Sequence, residues 1–177
     1  MSNSRFFVLV PVCLISICLS LLIIMKVNAI PPVADKTMSG GAITTAYRLS
    51  LQPGDLLLES IREFITRENI LDGAVLSGIG SLSECRIHWV TTNGFPPNDE
   101  FETLPGPLEI LSIQGVIADG EPHLHMAVSG GKTRHAGGHV EDGCKVLYLT
   151  ELVIVKIDGP SMIRRTNSWG IGQLEKK

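Results

Sequence analysis

Apolar residues follow three different spacings along this chain. From Phe6 to Met25 they form a nearly unbroken run, interrupted by Pro11, Ser16 and Ser20. From Leu57 onward, Leu57, Leu58, Ile61, Phe64 and Ile65 recur at three- and four-residue intervals, and Arg62, Glu63, Arg67 and Glu68 fill the remaining surface. That spacing predicts an amphipathic helix of about four turns. Asp55, which follows the Pro53-Gly54 turn, is placed to cap its N-terminus. Beyond the helix the pattern shifts to alternation and short apolar runs. Ala42–Leu51, with Tyr47, Leu49 and Leu51 on one face, reads as a strand. So do Ala74-Val75-Leu76, Cys85–Thr92, Leu108–Ala118, His123–Val128 and Val146–Ile157. Glycine-rich turns separate these runs at short intervals, which favours antiparallel hairpins over helical crossovers. Asn93 to Gly106, with three prolines and two glycines, reads as the longest loop. The expected fold is α+β: one compact domain, mainly antiparallel sheet, with one long helix packed on it.

The first apolar run belongs to a leader rather than to that domain. Arg5 supplies a positive start, Pro11 leaves the fourteen residues Val12–Met25 as a signal-type apolar stretch, and Val27-Asn28-Ala29 offers small residues for cleavage. Read without the proline break, the run would also span a bilayer core of about 30 Å. Residues 1–29 are therefore a signal peptide or a membrane anchor. Either places the folded part outside the cytoplasm, periplasmic or secreted in the first case and tethered in the second. Residues 30–41, with Pro31-Pro32 and Gly40-Gly41, read as a flexible tether, and residues 42–177 as the domain.

The leader holds two of the 15 basic residues and none of the 18 acidic ones, so the remainder carries 13 against 18, a formal charge of −5. No basic cluster exceeds Arg164-Arg165. Nucleic-acid binding, which draws most of its affinity from phosphate neutralisation, is disfavoured by that balance. Two of the four cysteines lie in the leader. The other two, Cys85 and Cys144, are read first as small buried hydrophobes. A disulfide in an oxidising compartment and a thiolate ligand at Cys144 stand as alternatives.

Four of the five histidines fall within the seventeen residues 123–139, and three of them, His123, His125 and His139, form the candidate set. His123 and His125 alternate on a strand, so they share a face, about 6.6–6.8 Å apart along the chain. Gly130-Gly131 allows the chain to fold back, and Gly137-Gly138 tolerates the unusual backbone angles that would steer His139 to the same point. Three imidazoles suit zinc first, and also nickel, copper or iron, with one coordination position left open. The expectation is one divalent transition metal per subunit. His135, in an exposed turn, and His88, facing away from Ile87 and Trp89, fall outside this set. Glu151, in a strand rich in Leu and Val, is either solvent-facing or a carboxylate that orients a ligating imidazole. Glu109 poses the same alternative. Ser77-Gly78-Ile79-Gly80-Ser81 lacks the lysine and the strand–loop–helix setting of a phosphate loop. Its glycines point to tight backbone packing near a subunit contact. Trp169 and Arg164-Arg165 fit a terminal strand or such a contact.

Taken in order, these segments resemble the plant and prokaryote conserved (PPC) domain family in its stand-alone prokaryotic form. The resemblance runs from about Tyr47 to Leu174. It includes Tyr47-Arg48-Leu49, Pro53-Gly54-Asp55-Leu56, Leu76-Ser77-Gly78-Ile79-Gly80-Ser81-Leu82 and Leu108-Glu109-Ile110-Leu111-Ser112-Ile113-Gln114-Gly115. Pro122-His123-Leu124-His125, Gly137-Gly138-His139-Val140, Gly143-Cys144 and Thr150-Glu151 complete it. It implies a compact α+β fold assembled as a homotrimer, with histidines like His123, His125 and His139 around a metal, commonly zinc. Plant relatives join the domain to an AT-hook that grips DNA. This chain has no Arg-Gly-Arg hook, and its leader also departs from a family that is more often cytoplasmic. Two functions follow as expectations. One is an exported metal-binding domain that captures or senses a small ligand or the metal itself. The other is an enzyme whose metal activates water in the open position. Binding is favoured, because no cluster of acids, hydroxyls or cysteines accompanies the histidines to supply a proton carrier. A DNA-binding regulator ranks third.

Overall fold

The computed structural model describes residues 40–177. The leader, and all of the tether except Gly40 and Gly41, lie outside the described residues. The elements are β1 (Ala42–Leu51), α1 (Leu57–Arg67), β2 (Gly73–Val90), β3 (Asp99–Ala118), β4 (Glu121–Ser129), β5 (His135–Val140), β6 (Lys145–Asp158), β7 (Met162–Thr166) and β8 (Gly172–Lys176). Every ladder is antiparallel. Six strands form one sheet in the order β1-β6-β2-β3-β4-β5, and β7 with β8 forms a separate hairpin. Among the described residues no helix is long and apolar enough to cross a membrane.

The sheet also closes on itself. β6 follows one edge of β2 as far as the Glu84↔Lys145 pair, and β5 takes over the same edge at Ile87↔Val140 and His88↔His139. β5 pairs on its other side with β4, so β2, β3, β4 and β5 complete a ring. Between β5 and β6 the chain bends at Asp142-Gly143, where Gly143 adopts a φ of 98° that glycine accommodates without steric cost. Helix α1 clasps this bend. The Glu59 carboxylate accepts a hydrogen bond from the Gly143 amide at 2.9 Å, the Leu57 amide donates to the Cys144 carbonyl at 2.8 Å, and Arg62 pairs with Asp142. The apolar face of α1 is buried at Leu57, Leu58, Ile61, Phe64 and Ile65, the five positions its spacing singled out. They join a core that includes Leu82, Ile113, Leu124 and Ile154 from the sheet.

Several elements depart from expectation, each for a local reason. The helix has eleven residues, about three turns rather than four. Asp55 does not cap it. Leu56 occupies the cap position, and the Asp55 carboxylate instead accepts from the Gln52 amide at 2.7 Å, closing the preceding turn. Ala74-Val75-Leu76 and the expected Cys85–Thr92 strand, which stops at Val90, belong to a single long strand, β2, which runs through Gly78 and Gly80. A Cβ at Gly78 would collide with the Ile113 and Leu152 side chains, so this glycine serves close packing within the subunit. The expected loop from Asn93 to Gly106 is shorter, because β3 begins at Asp99 and pairs Phe101 with His88. Pro105 is accommodated beside the irregularity between Leu82 and Glu84, where the ladder already breaks step. β5 went unforeseen, since Ala136-Gly137-Gly138 carries little strand propensity, and it is the partners on both edges that hold it extended.

Ile61 is fully buried at the centre of the helix face. Ile61→Ala is expected to lower unfolding free energy by about 2–5 kcal/mol, read as a shift in the urea midpoint. A loss below about 1 kcal/mol would mean that the helix is not packed as described.

Candidate metal centre

The β2–β5 contact lines up side chains from neighbouring strands. Across the ladders, Gln114 of β3 lies opposite His125 of β4, His125 opposite His139 of β5, His139 opposite His88 of β2, and His88 opposite Phe101 of β3. His123 precedes His125 by two residues and lies opposite Val116. His123, His125 and His139 thus meet. Their ring centroids are 5.3 Å (His123–His125), 4.8 Å (His123–His139) and 5.5 Å (His125–His139) apart. One nitrogen from each ring lies within 4.8 Å of the others. A cation at about 2.0–2.1 Å from each would draw them to roughly 3.4 Å, a small closure for rings on adjacent strands.

Gly137 and Gly138 contribute differently from the sequence expectation. Neither has a positive φ. A Cβ at Gly138 would collide with the His88 carbonyl, so the absent side chain lets β5 approach β2 and brings His139 into line.

Two side chains join the site that sequence reasoning left out. His88 is not an outlying half-exposed ring. Its centroid lies 4.6 Å from that of His139, and Phe101 packs against it at 4.9 Å. His88 Nδ1 is 2.7 Å from Glu141 Oε1, and the same oxygen lies 4.0 Å from His139 Nε2. His88, His139 and Glu141 form a second donor group that shares His139 with the first. Glu141 stands two residues after His139, a spacing visible in the sequence; the β2 edge that presents His88 to it was not visible.

The other candidates lie elsewhere. Glu151 is exposed on β6 opposite Ser50, where it lines a groove with Arg48, Ser77 and Ile79. The carboxylate beside the imidazoles is that of Glu141. Glu109 and His135 are exposed. Cys85 and Cys144 are fully buried free thiols at the bend. A hydrogen bond to Cys144, reinforced by burial, pushes the Cys85 thiol well above its usual range. Cys144 Sγ accepts from the Arg86 amide and donates to the Arg86 carbonyl, both at 3.2 Å, which holds it away from the histidines.

The site favours neutral imidazoles. Burial, followed by the positive charge of Arg164 and the neighbouring rings, lowers the His123 pKa to about 4. Burial also lowers His125, with His88 and Arg164 adding to the effect. In His139 burial again dominates, and His88 lowers the value further while Glu141 opposes the shift. Neutral nitrogen is the form that ligates metal, so the donor set fits a divalent cation without first losing protons.

The sign of the pH dependence follows. Between the ordinary value of 6.5 and about 4, the unfolded chain binds a proton at His123 that the native chain does not. Stability of the metal-free protein is therefore present above that window and lost as pH falls through it. His123→Asn should flatten this limb in urea midpoints measured across the same range. An unchanged slope would remove His123 as its source. Cation uptake near pH 6 should also release fewer protons than three ordinary imidazoles would, as measured by calorimetry in buffers of different ionisation enthalpy.

Comparison with known proteins accords with this architecture. A bifunctional protein GlmU from Synechococcus sp. is 32% identical over 108 residues, which is 61% of this chain and 16% of that protein. The chain thus spans about a sixth of the length of that relative. A metal-containing protein from Archaeoglobus fulgidus superposes with a TM-score of 0.69 at 22% identity, over 79% of this chain and 100% of the other. A plant- and prokaryote-conserved protein from Pyrococcus horikoshii superposes with a TM-score of 0.68 at 22% identity, over 80% and 98%. Both share the fold. The sequence signature of the Plants and Prokaryotes Conserved (PCC) domain covers residues 38–158, and it is to this family that the chain belongs.

Proposed function

We propose that this protein is an exported metal-binding domain, assembled as a homotrimer, that holds one divalent transition metal per subunit through His123, His125 and His139. Zinc is the first choice, and the open coordination position receives a small ligand. The observation that carries this reading is the meeting of one ring nitrogen from each of three imidazoles, within 4.8 Å of one another, on adjacent strands. The metal-containing relative of the same fold supports it. Export rests on the leader. Assembly rests on the family resemblance and on Leu76, Ile79, Leu111, Tyr148 and Leu149, apolar side chains exposed on the adjacent strands β2, β3 and β6.

A second reading, a metal-dependent hydrolase, is favoured by one observation. The His88–Glu141 pair, with its 2.7 Å contact, stands beside His139 as a proton acceptor that the sequence did not reveal. When bound, the metal would supply Lewis acidity. Glu141 would hold His88 in the tautomer that keeps its proton on Nδ1, leaving the other nitrogen free to accept one.

Elemental analysis of untagged protein tests the first reading. About one transition metal per subunit is expected in the wild type, with loss in His125→Ala. A metal-free wild type would overturn both readings. Light scattering should report a trimer, and a monomer at working concentration removes the assembly claim. Glu141→Gln separates the two readings. For a hydrolase, turnover of a model ester should fall about 10²–10⁴-fold at unchanged metal content. If the wild type turns over none of a panel of esters and phosphodiesters, binding remains the reading.

A further inference from the structure

The chain continues past the family signature, which ends at residue 158, into the β7–β8 hairpin. This hairpin is fastened at both ends. Near its base, the Met162 amide donates to Asp72 Oδ1 at 2.9 Å, and Lys177 pairs with Asp119 at 2.6 Å. At its tip, Trp169 packs edge-on against Phe95 with centroids 4.4 Å apart. The hairpin therefore reaches from the start of β2 and the β3–β4 turn to the loop that follows β2. Met162 and Leu174 line a cavity with Val116 and Ile117, and Val116 is the residue opposite His123. Arg164 follows Met162 by two residues and lies opposite Leu174, so it shares their inward face.

Arg164 is half-buried, and one of its terminal nitrogens donates to the Gly172 carbonyl at 2.7 Å. Among the described residues no carboxylate lies within 4 Å of it, whereas its exposed neighbour Arg165 pairs with Glu175 at 2.7 Å. Along the hairpin Arg164 stands between Met162, which lines the cavity beside Val116, the partner of His123, and the tip held at Phe95. A half-buried guanidinium without a counter-charge is costly, and a divalent cation beside it adds repulsion. An anion held between the two relieves both penalties. Guanidinium groups match carboxylate and phosphate oxygens in geometry as well as in charge.

We propose that Arg164, brought in by the C-terminal hairpin, and the three-histidine centre together form a binding site for a small oxyanion, a carboxylate or phosphate group. This rests on reading His123, His125 and His139 as a metal centre. It goes further by naming the ligand class, and it assigns the hairpin a role in selecting that ligand.

The test uses the full chain loaded with Co²⁺, whose visible absorption reports its ligands, titrated separately with acetate and with phosphate. Arg164→Gln keeps most of the side-chain volume and a hydrogen-bond donor but removes the charge. Anion affinity is expected to fall about tenfold or more, while Co²⁺ affinity without anion rises a few-fold as repulsion is lost. Arg164→Lys, which retains the charge without the fork, should recover part of the anion affinity. Arg165→Gln should change neither affinity. The better-bound anion identifies the carboxylate or the phosphate class. The proposal is overturned if neither anion perturbs the spectrum, or if Arg164→Gln leaves anion affinity unchanged. It is equally overturned if that substitution weakens Co²⁺ and anion together, which is the signature of a merely structural role. A wild type that takes up no Co²⁺ overturns the metal reading along with it, whereas the other failures leave that reading standing.

Discussion

β5 and β6 lie end to end along one edge of β2, separated by a bend at Asp142-Gly143, and the rest of the molecule depends on that joint. With a single continuous strand there, the β4 end of the sheet would have no second partner, and His139 would not face His88. The bend turns the chain enough for β5 to reach β4 while still pairing with β2 at two positions. It is held from the helix side by Glu59, Arg62 and the Leu57 amide, and from the core side by the buried Cys85 and Cys144. The same contacts that stabilise the fold therefore place the imidazoles. A small domain closes its sheet at this point because the alternative leaves unpaired strand edges and an uncovered core.

Around the closure, electrostatics divide the site into two halves. On one side His123 and His125 feel burial and the charge of Arg164, and both shed protons easily. On the other, Glu141 holds His88 and opposes the lowering of His139. His139 sits between a cationic wall and a carboxylate. Were His139 to ligate a metal, the carboxylate would raise its basicity, and the proposed anion would lie on the side of the wall. The hairpin that supplies the wall lies beyond residue 158, where the family signature ends.

Legibility differed between the elements for physical reasons. Helix α1 was readable down to its five buried positions, because helical periodicity is local and an amphipathic stripe needs only one face to bury. β1 was readable for the same reason on a two-residue period. β5 was not, since glycines give no alternation to read and the strand exists only through its neighbours. The start of β3 was hidden by prolines that signal a loop, until the ladder with β2 overrode them. At the site, His123 and His125 share a face by alternation alone, and their pairing on one face was legible. His88 was excluded because its orientation away from Ile87 and Trp89, which was read correctly, implied solvent when no partner strand was known. Glu151 was legible only as a carboxylate on an apolar strand, and Glu141 was not read at all; the pairing of β2 with β5 is what brings Glu141 to His88.

The sequence by itself determined which residues are apolar on which face, where the helix runs, that the sheet is antiparallel, and that three histidines stand close enough along the chain to meet. These are properties of short segments, and short segments carry them in their own spacing. Tertiary structure alone decided that β5 shares the β2 edge with β6, that Glu141 and His88 stand against His139, and that Arg164 shares the inward face of the hairpin. Each depends on strand register between residues tens of positions apart. One residue of slip reverses every side chain's face, and no local pattern of this chain encodes that choice.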